Sequence, residues 1–445
     1  MSSQASLDIN EVRESFPSLS SDQVFFDNAG GSQALGTVVD RIRDYLLHSN
    51  VQLGASYATG KNSTARYAEG YAAAAKYINA SRDEIGKFDT HTPLPTPLFY
   101  GRLPPLVRSS RLTSVPVLGS STTQLFRNLS FALSFDEGDE LVVSAVDHES
   151  NIEAWVDVAE RQKLVVKWWK PEASATDPGS KANPKLTPES LKGLLSEKTR
   201  LVTLTHASNI LGTIHDIKAI AETAHAHSPR ALVCVDAVAY APHRKIDVKE
   251  LGVDFYSFSW YKVYGPHISL LYASPNGLSQ VRSFGHFFNA HKTLEDKLGL
   301  AGASYELVYA IPAVTEYLSP SDGPSKWDGI IRQETILQET LLGYLNARDD
   351  VTIWGETSPD ARLRVPTISF TVRGWNSKDL VETVERQTNF GFRAGTFYSV
   401  RLAKEILGLV GEGDVVVRVS MVHYNTVDEV KALISALDRV LAKKA

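Results

Sequence analysis

Ser259-Trp260-Tyr261-Lys262-Val263-Tyr264-Gly265-Pro266 follows an apolar run, residues 253–258, that reads as a buried strand. A lysine after such a strand, set between aromatics and stopped by Gly-Pro, is poorly solvated. Desolvation lowers an ammonium pKa and makes the amine a competent nucleophile. The lysine does not stand alone. Asp236 lies 26 residues upstream, at the end of Leu232-Val233-Cys234-Val235. Two successive buried strands therefore end in an acid and an amine.

Working outward from these two strands, the middle of the chain alternates strand and helix. Residues 141–144, 164–169, 201–205, 232–235 and 255–258 read as strands. Residues 125–133, 152–162 and 217–226 read as helices. Short β-branched runs separated by helical periods predict an α/β fold with a mostly parallel sheet covered by helices. Ligands of such sheets bind beyond the carboxyl ends of the strands. His148, Asn209, Asp236 and Lys262 all fall just past strand ends, which predicts one composite site. A lysine that condenses with an aldehyde and an acid that holds a pyridine nitrogen are the two groups pyridoxal 5'-phosphate requires.

After about residue 290 the pattern changes. Strands at 367–372 and 415–422 flank helices and predict a smaller α+β domain. The last helix is capped by Thr426, with Asp428 and Glu429 in its first turn. Val430, Leu433, Ile434, Leu437, Val440 and Leu441 form its apolar face. The expected organisation is an N-terminal segment (1–24) packed on the small domain, a large cofactor domain (25–290) and a C-terminal domain (291–445).

Composition bounds the function. A net charge of −5 without a basic stripe argues against nucleic-acid binding. One cysteine excludes a disulfide framework and fits a reducing compartment. No apolar run approaches membrane-spanning length, and the N-terminal stretch lacks a signal-peptide core. The expectation is a cytoplasmic protein without a membrane partner. His225-Ala226-His227 lacks further ligands at useful spacing, so no metal is expected.

One segment breaks the pattern. Residues 86–116 hold 6 of the 20 prolines, with four basic residues against the single acid Asp89. They show neither helical nor strand periodicity. A long insertion of this kind inside a compact domain is unusual. Two readings stay open: a surface loop, or translated intron sequence whose removal joins Ile85 to Val117.

Several motifs stand in a familiar order. They are Phe25-Phe26-Asp27-Asn28-Ala29-Gly30-Gly31, Asp147-His148-Glu149-Ser150-Asn151, His206-Ala207-Ser208-Asn209-Ile210-Leu211-Gly212, Val235-Asp236-Ala237 and Lys262-Val263-Tyr264-Gly265-Pro266. From about Phe25 to the end the chain resembles the class V aminotransferases of the cysteine desulfurase-like superfamily. The resemblance implies fold type I and dependence on pyridoxal 5'-phosphate. It makes Lys262 the residue that carries the cofactor and moves protons, and Asp236 the partner of the pyridine nitrogen. It places His148 on the ring face and Asn209 at the phenolic oxygen.

For the phosphate, backbone donors at a helix start are needed, and Gly119-Ser120-Ser121-Thr122-Thr123-Gln124 opens such a helix. Ser121, Thr122 and Thr123 are the expected phosphate contacts, joined by Ser259 and Tyr261. The resemblance further implies that Gly302-Ala303-Ser304 of a second subunit completes this site through Ser304, hence a homodimer. It assigns Arg393, in Gly391-Phe392-Arg393-Ala394-Gly395, to the α-carboxylate of an amino-acid substrate. It places Asn28, Ala29 and Gly30 on the substrate side.

The chain departs from the family at one place of consequence. Desulfurases carry a sulfur-accepting cysteine a few residues after the arginine. Here the stretch is Ala394-Gly395-Thr396-Phe397-Tyr398-Ser399, and the single cysteine is Cys234. The expected activity is a C–S lyase or related elimination or replacement on an α-amino acid without a persulfide. Epimerisation, decarboxylation and transamination remain open, as does a relative disabled by the 86–116 insertion. Ala239 stands where the family often has Gln or His, and Tyr261 replaces a usual histidine. Tyr57, Tyr398, Trp260 and His243 are candidates for the substrate wall.

Overall fold

Asp236 ends one strand of a sheet, and Lys262 follows the end of the adjacent strand by one turn. A computed structural model describes residues 7–80, 116–171, 181–411 and 413–442. The atypical stretch 86–116 therefore falls, but for Pro116, outside the described residues.

The strands in chain order are β1 Val24–Phe25, β2 Val117–Gly119, β3 Glu140–Ser144, β4 Val165–Trp169, β5 Thr199–Thr205, β6 Leu232–Asp236, β7 Phe255–Ser259, β8 Ser269–Ala273, β9 Val351–Trp354, β10 Thr367–Val372, β11 Phe390–Gly391, β12 Arg393–Gly395 and β13 Val416–Ser420. The main sheet has the order β2-β8-β7-β6-β5-β3-β4. The five strands β4, β3, β5, β6 and β7 are parallel, and β8 runs antiparallel to β7 and β2. Strands β6 and β7 are buried throughout, which is why they read as unbroken apolar runs rather than alternating ones. The edge strand β2 and the reversed β8 were not predicted.

Strand β2 is parallel to the core strands, so its carboxyl end lies on the same side of the sheet as theirs. The helix Thr122–Ala132 starts there, capped by Ser121, whose hydroxyl accepts from Gln124 N. At Gly119 a Cβ would meet Leu125 Cδ2 at 2.8 Å, so a side chain at this turn would collide with the helix it introduces.

A second sheet, β12-β13-β10-β9, forms the C-terminal unit. The helix Val427–Leu441 covers it with Val430, Leu433, Leu437, Val440 and Leu441 and is closed by a Thr426–Glu429 capping box. The N-terminal segment reaches this unit. Arg13 donates to Tyr424 O and pairs with Glu429 at 2.9 Å.

Two boundaries differ from the sequence reading. Strand β1 pairs with β11 through Val24↔Phe390 and Phe25↔Gly391, so residues 24–25 belong with the C-terminal unit. The helix Tyr305–Leu318 packs against the helices Gly36–His48 and Ala58–Tyr77 of the large unit. Both differences come from long-range packing, which local periodicity does not carry.

Candidate active site

Strand β7 ends at Ser259, and one tight turn, Trp260–Lys262, carries the lysine. The loop beyond is rigid. Tyr264 sits at φ 59°, a left-handed conformation rare for a bulky residue. Such strain costs about 1–3 kcal/mol and persists only where the surroundings impose it. Here Tyr264 N donates to Ser32 Oγ at 2.9 Å and its hydroxyl to Pro242 O at 2.8 Å. At Gly265 a Cβ would lie 3.0 Å from Trp260 O, so only a small residue closes the turn. The lysine is thereby aimed into a pocket lined by Thr122, His148, Asn209, Asp236, Ser259 and Tyr261.

Burial pulls the Lys262 ammonium down to about 8, and Arg418 adds to this, while Asp236 and Asp27 oppose it. Asp236 is 5% exposed and accepts from Val238 N at 2.9 Å. Burial raises its carboxyl to about 6 against the pull of that bond and of Lys262. His148 Nδ1 accepts from Ser150 N at 3.1 Å, so the ring proton sits on Nε2. Burial, then the charges of Lys262 and Arg418, lower this imidazole to about 4, and the ring is neutral at neutral pH.

The helix start contributes hydroxyls. Thr122 Oγ1 lies 2.9 Å from Ser259 Oγ, which lies 2.7 Å from Ser269 Oγ. Thr123 Oγ1 is 2.7 Å from Ser150 Oγ, tying the helix to the His148 turn. The N-terminal amides of an eleven-residue helix and this hydroxyl cluster suit a phosphate. With a buried acid across the pocket and a desolvated amine beside it, the residues fit pyridoxal 5'-phosphate.

The C-terminal unit borders this pocket through its contacts with the lining residues Asn209 and His148. Arg393 pairs through Nε with Asp27 Oδ2 at 2.5 Å, and Arg418 donates through Nη2 to Asp27 Oδ1 at 2.8 Å. Arg418 is 2% exposed, and its Nη1 donates to Asn209 O at 3.1 Å. Burial lowers its guanidinium to about 10, leaving it charged at neutral pH. Both guanidiniums lie over the Phe397 ring, Arg418 at 3.6 Å and Arg393 at 5.3 Å. At Gly30 a Cβ would come 2.7 Å from Arg393 Nη2, so Gly30 makes room for that arginine.

In the stretch after Arg393 the chain turns through two left-handed residues, Phe397 at φ 48° and Tyr398 at φ 61°. Asn209 Nδ2 holds Phe397 O at 2.9 Å and accepts Ser399 Oγ through Oδ1 at 2.9 Å. Glu149 N holds Tyr398 O at 2.8 Å. The Tyr398 ring is 74% exposed and sits 5.2 Å from the His148 ring.

Several expected residues lie elsewhere. Asn28 does not face substrate: Nδ2 donates to Phe25 O, Ser420 O and Asn425 Oδ1, and Oδ1 accepts from Tyr424. It joins the first strand to the small domain. Ala29 N is bound to Ser420 Oγ. Trp260 is core, and His243 is buried against Glu334 at 2.8 Å, so neither forms a substrate wall. Ser304 precedes the helix Tyr305–Leu318 and does not line the Lys262 pocket of its own chain. Arg418 and Asp27 were missed. A lone arginine inside Val416-Val417-Arg418-Val419 was the available signal for the first.

This site sits on a parallel α/β sheet with a small C-terminal domain, the architecture of cysteine desulfurases. The solved apo cysteine desulfurase of Thermococcus onnurineus superposes with a TM-score of 0.80 over 100% of both chains at 20% identity. The aminotransferase class-V model matches residues 118–433, and the chain belongs to that family. An aminotransferase-like protein of Gibberella zeae is 51% identical over 99% of this chain and 100% of its own length. A cysteine desulfurase-like protein of Aspergillus flavus is 36% identical over 98% of this chain and 91% of its own. The protein is a pyridoxal 5'-phosphate-dependent enzyme. Among the described residues no helix is long and apolar enough to cross a membrane, and no cluster could hold a metal.

Proposed function

We propose that this enzyme takes the Cα proton of an α-amino acid and then breaks or replaces a bond at Cβ, as a C–S lyase or related elimination or replacement enzyme without a persulfide. The observation that carries this reading is the pairing of a half-buried Lys262 with a loop, after Arg393, that presents Tyr398 and holds no cysteine. The one cysteine, Cys234, is fully buried within β6. Burial, followed by the charge of Asp236, pushes its thiol up, the reverse of a reactive cysteine.

Bound pyridoxal phosphate supplies an electron sink for the charge left at Cα. The chain's residues do the rest. Lys262 would hold the cofactor and, as a free amine, would move the Cα proton; burial keeps a large fraction of it neutral near pH 8. Asp236 would face the pyridine nitrogen. The neutral His148 ring would cover the cofactor face, and Ser121, Thr122, Thr123, Ser259 and Tyr261 would hold the phosphate. Asn209 keeps the 397–399 loop over the site.

Arg418 takes over the α-carboxylate role expected of Arg393. Two guanidinium charges share the single carboxylate of Asp27, so one positive charge is left for the substrate. Arg418 is the buried member, and of the two arginines it has the larger effect on Lys262. Arg393, whose side chain is 53% exposed, supports it from the rim. With the carboxylate there and Cα at Lys262, the substrate side chain extends toward His148 and Tyr398.

The working unit is a homodimer. Phe287 and Phe288 are 94% and 72% exposed on the segment that leads to Ser304, an apolar surface of the kind an interface covers. Sedimentation at micromolar concentration should return twice the 48.9 kDa chain mass.

An amino-acid panel in deuterated buffer tests the reaction. Elimination releases ammonia and a 2-oxo acid, epimerisation returns the D-isomer with Cα deuterium, and transamination consumes cofactor stoichiometrically. Turnover confined to either of the last two outcomes contradicts the reading.

A further inference from the structure

Beneath Asp236 lies a second acid to which the mechanism above assigns no part. Asp147 follows β3 and is 0% exposed. Its Oδ2 accepts from Asn151 Nδ2 at 2.7 Å, and Asn151 Oδ1 in turn accepts from Trp155 Nε1 at 3.0 Å. Its Oδ1 is buried and makes no hydrogen bond of good geometry, although Ser144 and Thr205 N–H lie close enough to favour its charge, and among the described residues no lysine, arginine or histidine forms an ion pair with it. A buried carboxylate in such a setting would leave a charge uncompensated at large cost, whereas a neutral carboxylic acid tolerates it.

The sheet sets its relation to the cofactor floor. Strand β5 lies between β3 and β6, and Thr205 of β5 is in register with Asp236. Asp147 and Asp236 thus approach Thr205 from opposite sides. The groups facing Asp147 are Ser144 from β3, Asn151 from its own turn, Thr205 from β5, and Asp236 and Cys234 from β6. Asp236 is the one that carries charge, and Lys262 faces it from the far side. Burial and then the Asp236 charge push Asp147 up to about 7, with Ser144, Asn151 and Thr205 opposing.

We propose that Asp147 is a second acid of the cofactor floor, a positioning residue that gives up its proton only after Asp236 has, and so directs the first negative charge to the position opposite the pyridine nitrogen. Two interacting buried carboxyls lose their protons in two steps that belong to the pair. A cation at the pyridine nitrogen draws the first ionisation to Asp236, and the second is deferred to Asp147. This inference rests on the reading that Asp236 faces the pyridine nitrogen.

The test compares holoenzyme forms of wild type, Asp147→Asn and Asp236→Asn. The cofactor absorption band is followed between about pH 5 and 9, and carboxylic-acid C=O stretching is read by infrared difference spectroscopy. The wild type should show a spectral step with a midpoint near pH 7 and an infrared carboxylic-acid signal below it. The isosteric Asp147→Asn should keep the cofactor but lose both. Superimposable wild-type and Asp147→Asn titrations with the infrared signal retained would overturn the inference. If Asp147→Asn does not fold, the infrared signal of the wild type alone decides: its absence below pH 7 overturns the proposal. An Asp236→Asn form whose cofactor spectrum and affinity match wild type would instead remove the reading of Asp236 itself.

Discussion

The two walls of the pocket are built differently. In the wall from the large domain Asp236 and Thr122 are buried and Lys262 is half-buried, and its backbone is fixed by strand pairing and by the strained turn at Tyr264. The wall from the C-terminal unit is half open: Tyr398 is 74% exposed, and the Arg393 side chain is 53% exposed. Arg418 and Ser399 on that side are buried. Low dielectric sharpens the electrostatics where the cofactor sits, while the exposed rim is where substrates of different size are told apart. Cofactor chemistry is thus set by the sheet, and substrate choice by loops attached to a second domain.

The comparison breaks first at Lys262. Lys262→Ala should lower turnover by at least roughly 10³-fold, the scale of losing a positioned acid–base group. It should also end reductive trapping of the cofactor on the chain, read by mass spectrometry. Retained trapping on this site would mean that the buried wall has been misread.

The opposite wall should respond in binding rather than in cofactor retention. Arg418→Ala removes the buried partner of a charge pair, worth about 3 kcal/mol, so KM should rise about 100-fold. Arg393→Ala, at the half-exposed rim, should raise KM only about 5- to 10-fold. Both variants should keep the visible band. The reverse order in steady-state KM would return the α-carboxylate to Arg393.

A pH prediction follows from the depressed Lys262 ammonium. Only the neutral amine attacks an aldehyde, and burial moves half-neutralisation down from 10.5 to about 8. Cofactor uptake by the apoprotein should therefore accelerate as pH rises through about 8 and level off above it. Stopped-flow absorbance measures this. Acceleration continuing toward pH 10 would mean a solvated lysine. The smallest effect is expected at Cys234. Cys234→Ala should leave turnover unchanged and cost about 1 kcal/mol of stability, seen in denaturant unfolding. Loss of turnover with a folded chain would restore a sulfur-relay role.

The buried wall was legible in the sequence because each of its residues closes an apolar run: Asp236 ends β6, and Lys262 follows β7 by one turn. The start of the last helix at Val427 was visible through its cap Thr426, whereas the phosphate-side helix begins at Thr122, three residues before the start read from the sequence. The open wall was not legible in the same way. Asp27 and Arg418 meet across 391 positions, and no local period marks such a pairing. Asn28 was placed on the substrate side by its neighbourhood, yet its amide is fully bonded within the domain joint. Asp147 stood in plain view beside His148, but burial without an ion-pair partner is a property of the packed sheet alone. The edge strand β2 escaped notice because it has only three residues, and β8 because its antiparallel return interrupts the alternation of strand and helix.

The most direct test is the visible spectrum of the purified chain with added pyridoxal phosphate, taken before and after borohydride, followed by peptide mapping. The account predicts a yellow band that borohydride bleaches, with the reduced cofactor on Lys262. A colourless protein, or label on another lysine, would contradict it.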